Sequence, residues 1–201
     1  MIEKSFLPSF RCYMTRHMNK FTLITLSSLT MLTATSTFAE GEKYNDRQGF
    51  MIGFGLGGGG LSIHDAGNSL DRGAFIGNFR IGGGLSEKFI LMGESTWAMT
   101  NKNDTDISVS GLLFSAQYFC TQNFYLRPGF GFAVGRSVTS VGSVTVTNES
   151  DVGFAMNAAS GYEFRLSKSF VLAPEVDVGY AHIQGSDNVN YGVILGLTWY
   201  L

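Results

Sequence analysis

Residues 124–135 read FYLRPGFGFAVG. Phe124, Leu126, Pro128, Phe130, Phe132 and Val134 alternate with Tyr125, Arg127, Gly129, Gly131, Ala133 and Gly135. A period of two over this length marks a β-strand with two unlike faces, one greasy and one small or charged. A soluble β-protein would turn the greasy face inward and leave a guanidinium and three glycines as its outer surface. The alternative is a strand whose apolar side meets lipid and whose Arg127 points into a lumen.

The rest of the chain repeats this design. Alternating segments fall at roughly 48–58, 73–85, 88–100, 105–120, 124–137, 150–166, 170–183 and 188–201. In nearly all of them one face is large and apolar. Examples are Phe50, Ile52, Phe54 and Leu56 in the first, and Tyr191, Val193, Leu195, Leu197, Trp199 and Leu201 in the last. The opposite face carries the mid-strand charges Arg80, Glu94, Arg127, Glu175 and Asp177. Segment 105–120 is ambiguous; placing Leu112, Phe114 and Tyr118 outward puts Ser115 and Gln117 inside. With the apolar faces inward, an eight-stranded barrel would have to hold about a dozen aromatics in an interior only wide enough for packed side chains. That arrangement would also turn the charges outward, where an Arg facing lipid at mid-depth would cost roughly 2–4 kcal/mol. Several such charges together approach a typical domain stability of about 5–15 kcal/mol. The pattern therefore predicts an all-β, closed, eight-stranded antiparallel up-and-down transmembrane barrel over residues 48–201, with its charges inside.

The breaks between segments sort into two classes that alternate. Ser86-Glu87, Thr121-Gln122-Asn123 and Ser167-Lys168-Ser169 are short; 60–72, 101–104, 138–150 and 184–187 are generally longer. Short turns on one rim and longer loops on the other is the pattern of outer-membrane barrels, as is an even strand count. SVTVTNES (143–150) reads as a flexible, variable surface loop.

Composition agrees. The 201 residues hold 26 glycines and 3 prolines, and charged residues make up 15%, against a usual share of about a quarter. No Lys/Arg cluster follows residue 20, which argues against nucleic-acid binding. Residues 1–39 read as a signal peptide, with Met18-Asn19-Lys20 ahead of the apolar FTLITLSSLTMLTA and cleavage after Ala39. Either translation begins at Met18 or the basic region is long. Residues 40–47 form a short N-terminal segment. From Glu40 onward ten Lys+Arg face fifteen Asp+Glu, a net charge of −5. Cys12 leaves with the signal, so Cys120 has no partner for a disulfide in an oxidising compartment.

FYLRPGFGFAVG, VLAPEVDVGYAHI (171–183) and the terminal YGVILGLTWYL (191–201) resemble the small eight-stranded outer-membrane proteins of Gram-negative bacteria, of the OmpA/OmpX and opacity type. The resemblance covers about residues 48–201. It implies location in the outer membrane among lipids that include lipopolysaccharide. It also implies insertion by the barrel-assembly machinery, which reads an aromatic last strand usually ending in Phe; here Leu201 stands last. It brings no active-site motif.

Candidate sites are few. Arg80, Glu94, Arg127, Glu175 and Asp177 nearly balance and read as a paired polar network filling the lumen, since buried charges need partners. The functional alternative is a narrow conducting path. Pro128 and Pro174 face outward and each forfeits a ladder hydrogen bond, which calls for a bulge or a place near the short-turn rim. His182, near Ser186 and Asp187, invites a lipid A deacylase reading, because a Ser–His pair activates a hydroxyl. The His-x-Ser spacing of those enzymes would need Ser at 184, where this chain has Gln184. His64-Asp65 is too common a pair to mark a metal site. GFGLGGGG (53–60) lacks the helix that a phosphate-binding loop requires. No cofactor, metal or catalytic residue is expected. The expected role is structural or adhesion-like, through loops 60–72 and 138–150 meeting an extracellular ligand. A small channel, a lipid A-modifying enzyme and, more remotely, a soluble lipocalin-like carrier are the alternatives.

Overall fold

The computed structural model describes residues 47–65, 68–102, 105–141 and 144–201. The signal-peptide reading of 1–39 and the segment before Arg47 lie outside the described residues. Ten strands follow in order: β1 (Gly49–Asp65), β2 (Asn68–Ser86), β3 (Phe89–Lys102), β4 (Thr105–Phe119), β5 (Phe124–Val141), β6 (Val144–Glu149), β7 (Gly153–Tyr162), β8 (Phe164–Arg165), β9 (Phe170–Ile183) and β10 (Ser186–Tyr200). β6, β7 and β8 are pieces of one stave, interrupted at 150–152 and at Glu163, so eight staves form the wall. Each pairs antiparallel with its neighbour in sequence. The barrel closes where β1 pairs β10, from Met51↔Tyr200 to His64↔Asp187.

The faces fall as the alternation requires. Phe54, Phe79, Leu112, Phe114, Phe130, Phe132, Val176 and Leu195 face outward, while Arg80, Ser115, Gln117, Arg127 and Glu175 are buried inside. Along β10 and the residue after it the outward apolar residues run from Tyr191 to Leu201. Ten steps of roughly 3.3 Å, tilted by about 40°, give a band about 25 Å tall, the height of a bilayer-facing girdle.

Both outward prolines sit at lapses in the ladder. β4 and β5 pair at Ser115↔Gly129 and again at Tyr118↔Leu126, skipping Pro128. β9 pairs Gly161↔Glu175 and then Phe164↔Leu172, skipping Pro174. Register is unchanged across each gap, so neither is a bulge. Each proline lies four residues into its strand, near the short turns, and the wall simply misses the hydrogen bond that its nitrogen cannot donate. Of the short turns, two are capped alike: Thr121 and Ser167 hydroxyls accept from the backbone N–H groups two and three residues on.

The longer breaks differ from the sequence reading. Segments 60–72 and 138–150 are mostly paired strand: β1–β2 stay in register to Asp65↔Asn68, and β5–β6 to Val141↔Val144. The connection at 184–187 is a two-residue turn, Gln184-Gly185, with positive φ at both positions, and Ser186 and Asp187 already pair in β10. The cause is β-branched content such as Val144, Thr145, Val146 and Thr147. Beyond the apolar band both faces are wet, so alternation fades from the sequence while pairing continues.

Candidate functional site: a plugged barrel with a two-flap mouth

The interior is built in layers. At the short-turn end Met51, Ile90, Met92, Phe119, Tyr125, Val171, Ala173 and Tyr200 pack together. Arg47, just ahead of β1, lies against them. Its guanidinium stacks 3.6 Å from the Phe119 ring centre, donates through Nη2 to Glu163 Oε2 at 2.9 Å, and donates through Nη1 to the Glu87 carbonyl. Glu163 also accepts from the Tyr200 hydroxyl at 2.5 Å and lies 3.7 Å from Arg165. Sequence reasoning missed Arg47 because it precedes any alternating segment. The Arg47→Ala variant is expected to lose about 1.5–3 kcal/mol, the scale of hydrogen bonds to charged groups. Glu163 keeps Tyr200 and Arg165, which limits the loss. Urea titration of the refolded barrel checks it.

The middle layer holds the candidate charges. Arg80, Glu94, Arg127, Glu175 and Asp177 are each at most 3% exposed. Glu175, on β9, is the hub: Oε1 accepts from Arg80 Nη1 at 2.7 Å and from the Tyr125 hydroxyl at 2.6 Å, and Oε2 accepts from Arg127 Nη2 at 2.7 Å. Arg127 also lies 3.3 Å from Glu94 Oε1, and Ser115 donates to Glu94 Oε2 at 2.8 Å. Charges from four strands thus converge on one point, because the inward residues of β2, β3, β5 and β9 share a level. Gly196 leaves room there: a Cβ on it would lie 2.7 Å from Glu175 Oε1 and 2.8 Å from Arg80 Nη2. Asp177 stands apart from the four, 3.5 Å from Asn157, at the edge of a gap of about 20 Å³ that has room for one water. Tyr125 and Ser115 were legible only as inward positions; their partners were not.

Above the charges lies a second apolar layer of Leu61, Ile76, Ala98, Val109, Leu113, Ala133, Ala155, Ala181, Ile183 and Ile194. The central charges are therefore flanked on both sides by packed apolar side chains, with a second buried ion pair, Arg47–Glu163, at the short-turn end, whereas the sequence reading filled the lumen with one polar network.

The wall continues past this layer and then divides. The β2–β3 ladder extends outward only to Phe75↔Met99, and the β7–β9 ladder only to Phe154↔His182. Beyond those points β9, β10, β1 and β2 form one flap, and β3, β4, β5 and β6 form the other. Thr100 Oγ1, donating to the Gly73 carbonyl at 2.8 Å, ties the first seam. β6 pairs with β5 alone. Between the flaps opens a vestibule of about 330 Å³, lined by Ile63, Ile183 and Asn188 on one side and by Ile107, Arg136 and Glu149 on the other.

The hydrolase candidates separate. His182 lies on the outer face, its Nδ1 2.7 Å from Asp187 Oδ1, while Ser186 lines the vestibule on the inner face. Successive residues of a strand point to opposite sides, so Ser186 and Asp187 cannot serve one imidazole together. Glycines 53–60 belong to β1, with no phosphate-loop geometry. Cys120 is exposed at a short turn.

No protein-family model matches the chain, and no curated protein matches it. Solved structures do. Ail, the attachment invasion locus protein of Yersinia pestis, superposes with a TM-score of 0.57 at 12% identity, covering 74% of this chain and 98% of Ail. Neisserial surface protein A superposes with a TM-score of 0.57 at 16% identity, covering 81% of this chain and 100% of that one. Ail in complex with the heparin analogue sucrose octasulfate gives 0.56 at 11% identity, covering 75% and 99%. At such identities the likeness is one of architecture, and it is specific: this chain has the fold of the small eight-stranded outer-membrane β-barrels.

Proposed function

We propose that this is an outer-membrane surface-interaction protein, exported by the signal at 1–39, with a closed lumen and two outer flaps that meet partners outside the cell. The observation that carries the reading is the continuation of paired wall beyond the apolar band, ending in two separate flaps around an open vestibule. A barrel whose only task was to seat itself in lipid would need no such rim. Lipids, including lipopolysaccharide, would cover the girdle. The aromatic β10, with Tyr191, Trp199 and Tyr200, would be the strand read during assembly.

A conducting path is disfavoured by three packed interior layers, the central one locked by ion pairs. A lipid-modifying activity is disfavoured by the opposite faces of His182 and Ser186. The name of Ail, which shares the fold, points to attachment as the class of role. Its heparin-analogue ligand does not transfer: among the described residues of the flaps, Asp65, Asp71, Asp106, Glu149 and Asp187 outnumber Arg72, Lys102 and Arg136. A polyanion would meet net negative charge there.

The test is attachment of a non-adherent Gram-negative host expressing the protein, compared with a variant whose 139–147 hairpin tip is replaced by a short Gly-Asn turn. Attachment should rise with the wild type, fall to background with the variant, and be insensitive to added heparin. Heat-modifiable migration of both proteins from outer membranes would show that the barrel survives. Equal attachment by the two, or ion conductance in planar bilayers at wild-type sequence, would overturn the reading.

A further inference from the structure

His64 and His182, the histidines of the barrel, flank one aspartate. In register, His64 on β1 is opposite Asp187 on β10, and Asp187 is opposite His182 on β9. All three point outward, above the apolar band, which ends at Tyr191. Directly opposed side chains on adjacent strands have Cβ atoms about 4.5–5.5 Å apart. Three neighbouring strands therefore present imidazole, carboxylate and imidazole in one row. The sequence pairs His64 with Asp65, but Asp65 lines the vestibule on the inner face, and the fold gives His64 a different acid.

The details favour ligation over a plain surface ion pair. His182 Nδ1 sits 2.7 Å from Asp187 Oδ1, and the Tyr180 hydroxyl donates to the same oxygen at 2.7 Å. Two ligands of one tetrahedral ion at about 2.0–2.1 Å lie about 3.3 Å apart, so a small opening of the Nδ1–carboxylate contact lets a cation replace the proton between them. Both contacts fall on Oδ1, so Oδ2 is the atom left for a third ligand. His182 and Asp187 are about half exposed, at 54% and 52%. Among the described residues no three such side chains already converge on one point. Convergence here needs only rotation of exposed side chains, because the strands have set the spacing.

We propose that His64, Asp187 and His182 form a surface site for a transition-metal dication of the zinc class. Two imidazoles and one carboxylate suit Zn²⁺, Ni²⁺ or Cu²⁺ and disfavour Mg²⁺ and Ca²⁺, which prefer oxygen alone. Binding would tie β1, β10 and β9 together at the root of one flap.

Calorimetric titration of the refolded full chain with ZnCl₂ near pH 7.5 tests this. One equivalent should bind with micromolar affinity, and MgCl₂ should give no heat. His64→Ala and His182→Ala should each weaken Zn²⁺ about tenfold or more, while Asp106→Asn should not. Absence of binding, or binding indifferent to both histidine variants, overturns the site. A measurement on the wild type covers the case in which a variant fails to fold. The imidazole NMR signals of His64 and His182 should move together on adding Zn²⁺, with the Trp97 indole signal as internal reference; movement of one alone, or of neither, also overturns it. Attachment is a separate readout, so this site and the proposed function can fail independently.

Discussion

Arg127→Ala should lower the unfolding free energy of the barrel by about 3–5 kcal/mol, the cost of leaving a buried ion pair without one partner. Arg127 is fully buried and within ion-pair reach of both Glu94 and Glu175. Its loss leaves Arg80 as the cation facing Glu94 and Glu175, with Asp177 a third carboxylate in that layer. A second variant separates charge imbalance from lost packing. Arg127→Met combined with Glu94→Gln removes one charge of each sign, keeps Arg80 paired with Glu175, and fills much of the space. It should recover most of the lost stability, since neutral, well-packed replacements of buried ion pairs are often tolerated. Urea titration of protein refolded in micelles or bilayers reads both. Conductance gives a further discrimination. Apolar layers close the lumen on either side of the network, so Arg127→Ala should destabilise the barrel without opening it. If instead the variant conducts ions while wild type does not, the charged layer is a gate and the closed-plug description fails.

The residues that fixed the fold were those whose environment is uniform. Phe130, Phe132, Leu195 and Leu197 face the same apolar surroundings along the whole girdle, and period-two alternation records this in the sequence. Arg80, Glu94, Arg127, Glu175 and Asp177 could be placed inside by the same rule. Their pairing could not, because it depends on the relative register of strands distant in sequence: Arg80 meets Glu175 only after β1 and β10 have closed the wall between them. Asp177, one turn of alternation beyond Glu175, could equally have joined the network and does not. Arg47 left no periodic trace, since it works from outside a strand through backbone carbonyls and an aromatic ring. The flaps were hidden for the converse reason. Above the band both faces of residues 145–149 and of 69–72 are exposed or half-exposed, and a strand without unlike faces looks like a loop.

Placing arginine at successive depths on the outer face tests the membrane reading most directly. Leu195 lies near the middle of the outward run of β10, half exposed at 52%, with Leu56 and Pro174 as its cross-strand neighbours. If that surface faced water, Leu195→Arg would change stability by no more than about 0.5 kcal/mol, as exposed substitutions usually do. Facing hydrocarbon at mid-depth, it should cost roughly 2–4 kcal/mol in a bilayer. Leu201 lies at the end of the same row and is more exposed, at 71%. There the same change should cost about 0–1 kcal/mol, because the guanidinium reaches the interface. Exposure alone predicts two small effects, whereas depth predicts a steep gradient between leucines six residues apart, one in β10 and one just past its end. Refolding both variants into bilayers and into a non-denaturing soluble buffer separates these outcomes. Equal, negligible effects at 195 and 201 would place the apolar girdle in water and remove the outer membrane from the description of this protein.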